Sequence, residues 1–534
     1  MRRKAWGIFT LVASLMIGIV LRLLYIVHNQ PAQVASSQSS WSVLVAQTRG
    51  TIYDTNLRPL VNEEKAYFAA LAPKESLLAQ VMSATTTAQF SALRKQLSSG
   101  TPAAVRLTKP VGFSEGLRLF WVPVRYSERL LAPHIIGYLD AGGVNGVTGI
   151  EAAYNDLLNE YKGSASASFS VDGRGNLLIG VQPTAVDTTD RSIGGVVLSL
   201  DKRIQELTEA IGSQQMTKGA IVVLQPSDGH ILSIASFPSF QPNTVAESIE
   251  ADDGALLNRA LSLYDCGSVF KIITTAAALE CNVSDKQTFK CNGYLEVDGT
   301  RFHCHNRLGH GELDMHEAFA QSCNIYYIQL AHKLGANDLY SMAQKFGLNK
   351  PITLAHTITA PAAVLPDVYT LSASASALAN FSFGQGYLLV SPLHFARITA
   401  AIANNGVMID PLLVKGSIDE YSRFSTNEKG RGEEVISAKT ANLLQEMMAE
   451  TVDHGTGTAA APNECSAAGK TGTAETGQVA DGKAVTQSWF VGYFPADKPQ
   501  YAVCVLVENA SSTNSKATTI FRELADAITD LTDK

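Results

Sequence analysis

Three short segments stand in fixed order along this chain of 534 residues. They are Ser268-Val269-Phe270-Lys271, Ser322-Cys323-Asn324 and Lys470-Thr471-Gly472-Thr473. A lone S-x-x-K recurs by chance in a long chain; three ordered segments, each in a suitable local context, do not. The first follows Gly267, a chain breaker, and precedes the Ala-rich run 272–279, which reads as a helix buried on most sides. Ser268 and Lys271 are i and i+3, so they share a face of the first turn. A serine hydroxyl is a poor nucleophile until a neighbouring base takes its proton. A lysine serves as that base only where burial lowers its pKa. The helix start also favours negative charge developing near Ser268.

The third segment precedes two strand-like runs, 488–494 and 501–507, and reads as a strand of the same antiparallel sheet. Alternation puts Thr471 and Thr473 on one face. Gly472, lacking a side chain, leaves room for a substrate backbone along the edge. Lys470 supplies a fixed positive charge, suited to a substrate that ends in a carboxylate.

The N-terminus sets the address. Arg2, Arg3 and Lys4 form a short cytoplasmic tail over 1–4, ahead of an apolar segment over 5–27 interrupted only by Arg22. As a helix this segment is long enough to span the ~30 Å hydrocarbon core. The basic cluster stays inside, which places the rest of a single-pass chain, catalytic domain included, outside the cell membrane. A polar linker is expected over 28–48, with a helix around 74–97 and a boundary at 183–191. The pattern over 515–531 is that of an amphipathic helix packed on a sheet. A net charge of −7 and the lack of a basic, aromatic-laced patch argue against nucleic-acid binding.

Seven cysteines include no C-x-x-C pair, which excludes a zinc ribbon or thioredoxin motif. Cys291, His303, Cys304, His305 and His310 are metal-ligand types, but their spacing fits no standard zinc pattern, and no metal centre is predicted. His316-Glu317-Ala318-Phe319-Ala320 lacks the second histidine of a metalloprotease helix. Cys323 sits inside the second segment with Cys304 nineteen residues upstream (323 − 304). The two are a candidate redox pair whose disulfide would displace Ser322 or Asn324.

The ordered set resembles the signature of penicillin-binding proteins and class A β-lactamases, whose middle motif has Asp where this chain has Cys323. Further segments resemble a class B penicillin-binding protein, a monofunctional D,D-transpeptidase of peptidoglycan synthesis, over nearly the whole length. They include Arg49-Gly50-Thr51-Ile52-Tyr53-Asp54 (with Thr55 where Arg is frequent), 134–138 and 146–151. Later ones are 219–224, 229–233, Phe383-Gly384-Gln385-Gly386, 391–393 and Gly455-Thr456-Gly457-Thr458-Ala459. The resemblance implies an α+β chain. After the membrane helix comes a mixed pedestal of dimerisation type over 49–190. A transpeptidase domain over 191–534 follows, with an antiparallel sheet flanked by helices.

The same resemblance implies roles. Ser268 is the acylated nucleophile, Lys271 its base, Ser322 a proton relay, and Asn324 a partner of substrate or Lys271. Lys470, Thr471, Gly472 and Thr473 bind the substrate, and the backbone N–H groups of Ser268 and Thr473 form the oxyanion hole. The implied partners are stem peptides ending in D-Ala-D-Ala, β-lactams and a SEDS-family membrane glycan polymerase, in the service of cell shape or cell division. No cofactor is implied. A β-lactam-hydrolysing enzyme would need a water-activating group that the sequence does not reveal. A non-catalytic wall-synthesis scaffold would not need Ser268, Lys271 and Lys470.

Overall fold

Hydrophobic runs in the C-terminal half assemble into a five-stranded sheet. Its order is Ile231–Phe237, Gly219–Leu224, Tyr501–Ala510, Lys483–Phe494 and Ala468–Ala480, with every neighbouring pair antiparallel. Antiparallel sheets often leave one face to water. Here Gly219–Leu224 is buried at every position, because both faces are covered. On one side Ile221, Val223, Phe490, Val503 and Val505 pack with Ile204 and Phe521 of the helices Lys202–Gln215 and Lys516–Thr532. On the other, Ala220, Val222, Val491, Cys504 and Leu506 enter a larger core that includes Phe395 of the helix Pro392–Ala403. A slip of one residue would exchange the two faces, so two cores hold the register.

The computed structural model describes residues 2–29, 40–172, 176–178, 180–251, 253–426, 430–480, 483–510 and 516–532. The chain forms two compact units. One comprises 1–49, 62–125 and 162–192. Its sheets are Ser40–Thr48 with Gly163–Ser170 and Thr184–Asp187, and Ala103–Leu107 with Lys65–Leu71 and Leu117–Pro123. Val45, Leu71, Val105, Phe120 and Phe169 share its core with Leu93 and Leu97 of the helix Thr87–Ser98. The other unit comprises 50–61, 126–161 and 193–534. In it Thr51–Tyr53 pairs in parallel with Gly195–Leu198. The buried Asp54 accepts a hydrogen bond of 3.1 Å from the Lys202 N–H, at the start of the helix Lys202–Gln215.

Three N-terminal expectations change. The polar linker over 28–48 lies outside the described residues at 30–39, and 40–48 is a strand. There Trp41, Val43 and Val45 alternate inward, as aromatic and β-branched residues favour. The helix around 74–97 is broken. Thr86 is extended (φ −74°, ψ 159°) and caps a fresh helix, exchanging hydrogen bonds with Gln89 in a capping box. The span over 5–27 forms a helix, Arg2–Asn29. No helix among the described residues, however, is long and apolar enough to cross a membrane.

Candidate active site

The first motif begins as one 3-10 turn, Gly267–Phe270, and continues as the helix Lys271–Glu280. In a 3-10 turn residues three apart eclipse each other, which sets Ser268 above Lys271. Gly267 has a φ of +58°, and a Cβ there would stand 2.5 Å from the Thr473 carbonyl oxygen. Only glycine lets the turn approach the third motif this closely. Trp489, on the neighbouring strand Lys483–Phe494, ties the sheet to the segment just before the turn, its Nε1 donating to the Asp265 carbonyl at 2.9 Å. Val269 and Phe270 anchor the turn in the core, Phe270 packing on Phe381 at 4.8 Å between ring centroids. Ser268 is left half-buried on the cleft side.

The second motif is a turn between the helices Met315–Ala320 and Asn324–Leu334. Ser322 adopts a φ of +51°, a left-handed conformation that costs a non-glycine residue on the order of 1–3 kcal/mol. The turn aims two oxygens and the next side chain at one atom. Lys271 Nζ donates to the Ser322 carbonyl at 2.7 Å, to Ser322 Oγ at 3.2 Å and to Asn324 Oδ1 at 2.7 Å. Asn324 Nδ2 in turn donates to the His303 carbonyl at 3.3 Å, which fixes the amide. The Lys271 side chain is fully buried and lies 5.4 Å from the Tyr327 ring centroid. Burial lowers its pKa to about 7, against the opposing pull of Cys323 and Cys304.

The third motif lies on the sheet's edge strand, Ala468–Ala480. Alternation turns Thr471 and Thr473 toward a cleft of about 1290 Å³, lined also by Ser268, Ser322, Asn324, Gln385 and Thr456. Thr471 Oγ1 lies 2.8 Å from Thr456 Oγ1. Lys470 and Gly472 have the opposite parity, and two expectations change with it. Gly472 makes no room for a substrate. A Cβ there would meet Val269 Cγ1 at 2.9 Å and the Cys266 carbonyl at 3.0 Å, so the space belongs to the chain's own 3-10 turn. Nor is Lys470 an exposed charge. Its side chain is fully buried, Nζ donates to the Thr471 carbonyl at 3.2 Å and lies 5.6 Å from the Phe319 ring centroid. Burial and then the charge of Lys271 hold its pKa well below the ordinary lysine value.

The cysteines are also rearranged relative to expectation. Cys304 and Cys323 are both free thiols with sulfurs 3.9 Å apart. No metal centre was expected from spacing, yet Cys291, Cys304, His310 and Cys323 bring their ligand atoms within 4.8 Å of one another. His303 and His305 are not in that group. The fourth member comes from the Ser322-Cys323-Asn324 turn, outside the 291–310 cluster, so no spacing within that cluster could reveal the grouping. Thr456 was legible only as part of Gly455-Thr456-Gly457-Thr458-Ala459. No periodicity in the sequence pointed to Tyr327 or Phe319 as neighbours of the two lysines.

This arrangement has known relatives. The family description "Penicillin binding protein transpeptidase domain" matches residues 219–526. Stage V sporulation protein D of Bacillus subtilis is 32% identical over 400 residues, which are 71% of this chain and 59% of that protein. Peptidoglycan D,D-transpeptidase PbpA of Mycolicibacterium smegmatis is 30% identical over 447 residues, 79% of this chain and 85% of that one. Among solved structures, penicillin-binding protein A from M. tuberculosis, as an imipenem acyl-enzyme complex, is 25% identical with a TM-score of 0.65. That likeness covers 90% of this chain and 98% of the other. With a serine and a hydroxyl-lined strand gathered at one cleft and a buried lysine held by the second motif, the chain belongs to the penicillin-binding protein transpeptidase family, and to its class B.

Proposed function

We propose that this chain is a peptidoglycan D,D-transpeptidase that works through an acyl-enzyme on Ser268. The observation that carries the reading is the position of Lys271. Its Nζ is buried, has a pKa lowered to about 7, and is held where the first two motifs meet. Such a lysine is neutral often enough to take a proton. Ser268 Oγ attacks the carbonyl of the penultimate D-Ala of a stem peptide, and its proton passes to Lys271 Nζ. The backbone N–H groups of Ser268 and Thr473 hold the oxyanion, where one such donor is worth about 3–4 kcal/mol of barrier. The C–N bond breaks, Ser322 Oγ relays the proton to the departing amine, and D-Ala leaves. An amine from a second stem then attacks the ester carbon and returns a proton to Ser268 Oγ. Thr471 and Thr473 hold the terminal carboxylate.

A β-lactam fits the same reading. Its ring opens on Ser268 without releasing a departing group, so the ester persists. Fluorescent penicillin and intact-mass measurement test this directly: one adduct on the wild type, none on Ser268→Ala. An adduct that survives the substitution, or none at all, defeats the assignment. Rapid loss of the bound drug would instead favour a hydrolase.

The reading extends to the membrane. The helix Arg2–Asn29 presents Leu11, Leu15, Leu21 and Leu24 outward with more than half of each side chain's surface exposed. An apolar helix of that kind suits a lipid anchor, with the bulk of the chain outside the cell beside a SEDS-family glycan polymerase. Protease added to intact spheroplasts should digest the large domain. A protected domain overturns the topology, and failure of a polymerase to copurify overturns the partnership.

A further inference from the structure

We propose that Cys291, Cys304, His310 and Cys323 form a zinc site that staples the Ser322-Cys323-Asn324 turn to the β-ribbons preceding it. The four ligand atoms lie within 4.8 Å of one another, and the three cysteines are buried free thiols. Around a tetrahedral zinc with Zn–S of ~2.3 Å and Zn–N of ~2.0–2.1 Å, two sulfurs stand about 3.8 Å apart. A sulfur and an imidazole nitrogen stand about 3.6 Å apart. The corresponding separations here are 3.9 Å for Cys304 Sγ to Cys323 Sγ and 3.5 Å for Cys304 Sγ to His310 Nδ1. A disulfide would need its sulfurs near 2.05 Å. These two separations are those of ligands around one ion.

Backbone donors reach two of the sulfurs. The backbone N–H groups of Asn306 and Asn324 point at the Cys304 sulfur, and that of Tyr326 at the Cys323 sulfur. Such donors stabilise negative sulfur. Three soft thiolates and an imidazole select zinc over magnesium or calcium. The local architecture also has a use for it. Among the described residues Phe289–Cys291 pairs only with Gly311–Leu313, and Tyr294–Val297 only with Thr300–His303. Two-stranded ribbons are marginal in water, and a metal adds the binding energy that a small core does not. Cys291, Cys304 and His310 come from this excursion; Cys323 comes from between Ser322 and Asn324. The ion therefore fixes the turn whose oxygens hold Lys271.

Binding requires three deprotonated thiols, a neutral His310 presenting Nδ1, and release of the thiol protons to solvent. The full chain, purified at neutral pH without chelator or added metal, should contain about one zinc by elemental analysis. Cobalt added to the reduced, metal-free chain should give the visible bands of tetrahedral cobalt thiolate. Cys291→Ser and His310→Gln should each lower zinc affinity by more than the ~10–100-fold that loss of an outer-shell partner costs, while Cys281→Ser, at an exposed cysteine outside the group, leaves it unchanged. The cobalt spectrum of the unmodified chain keeps the test meaningful if a variant misfolds. Absence of both zinc and the cobalt bands overturns the site. So does a Cys304–Cys323 disulfide in chain purified without reductant. None of these readings depends on acylation, so they stand apart from the fate of the transpeptidase assignment.

Discussion

At the scale of single residues, burial decides what each lysine does. Lys271, lowered to about 7, is roughly half neutral at pH 7, whereas an ordinary lysine near 10.4 is neutral in fewer than about one molecule in a thousand. The neutral form is the base, and it grows as pH rises through about 7. Penicillin acylation should therefore climb along a limb centred near pH 7 and level off above it, as stopped-flow or gel labelling will read. A limb at 9 or higher would remove Lys271 as the base. Lys271→Ala should slow acylation by about 10²–10⁴-fold at pH 8, since general base catalysis is worth that much. Gly472→Ala tests the close approach of strand and turn. A Cβ 2.9 Å from Val269 must push the 3-10 turn off the strand, so the melting temperature should fall and acylation with it. Unchanged values for both would mean the turn yields freely.

At the scale of elements, local signals were most legible where the chain obeys one period. The runs 488–494 and 501–507 emerge as neighbouring antiparallel strands, and 515–531 as a helix packed on their sheet, Ser515 lying outside the described residues. The continuous helix around 74–97 failed because Thr85-Thr86-Thr87 is a β-branched run and Thr86 competes for its own backbone. That failure carries a prediction. Thr86→Ala removes the bond that the Thr86 hydroxyl accepts from the Gln89 N–H, while the Thr86 N–H keeps its own bond to Gln89 Oε1, and should cost about 1 kcal/mol of stability, read as a lower denaturation midpoint. No change would show that the cap adds nothing beyond the packing of Leu93 and Leu97.

At the scale of the whole molecule, the chain order and the spatial order differ. Segments 50–61 and 126–161 belong to the compact unit that carries the cleft, although 62–125 lies between them in the other unit. Ile52, Ile150 and Leu158 are fully buried in the large core, and Thr51–Tyr53 completes a sheet with Gly195–Leu198. A chain cut to 193–534 should thus lose an edge strand and several core side chains. Large-to-small loss at one such site costs about 2–5 kcal/mol, so several together exceed the usual stability of a domain. The expectation is a chain that aggregates or fails to bind penicillin. A soluble, fully acylated 193–534 fragment would show that the early segments are dispensable.

By itself the sequence determined the chemistry of the cleft and the strands that flank it. Ser268, Lys271, Ser322, Asn324, Thr471 and Thr473 were all legible, and the structure gathers them around one cleft. Motif order and strand period survive in one dimension. Only the tertiary structure decided that Lys470 is buried rather than solvated, and that Gly472 receives the Val269 turn rather than a substrate. It alone joined Cys323 to Cys291, Cys304 and His310. Each of those outcomes depends on which element packs against which. That choice is made by the summed burial of distant apolar faces, and no window along the chain contains it.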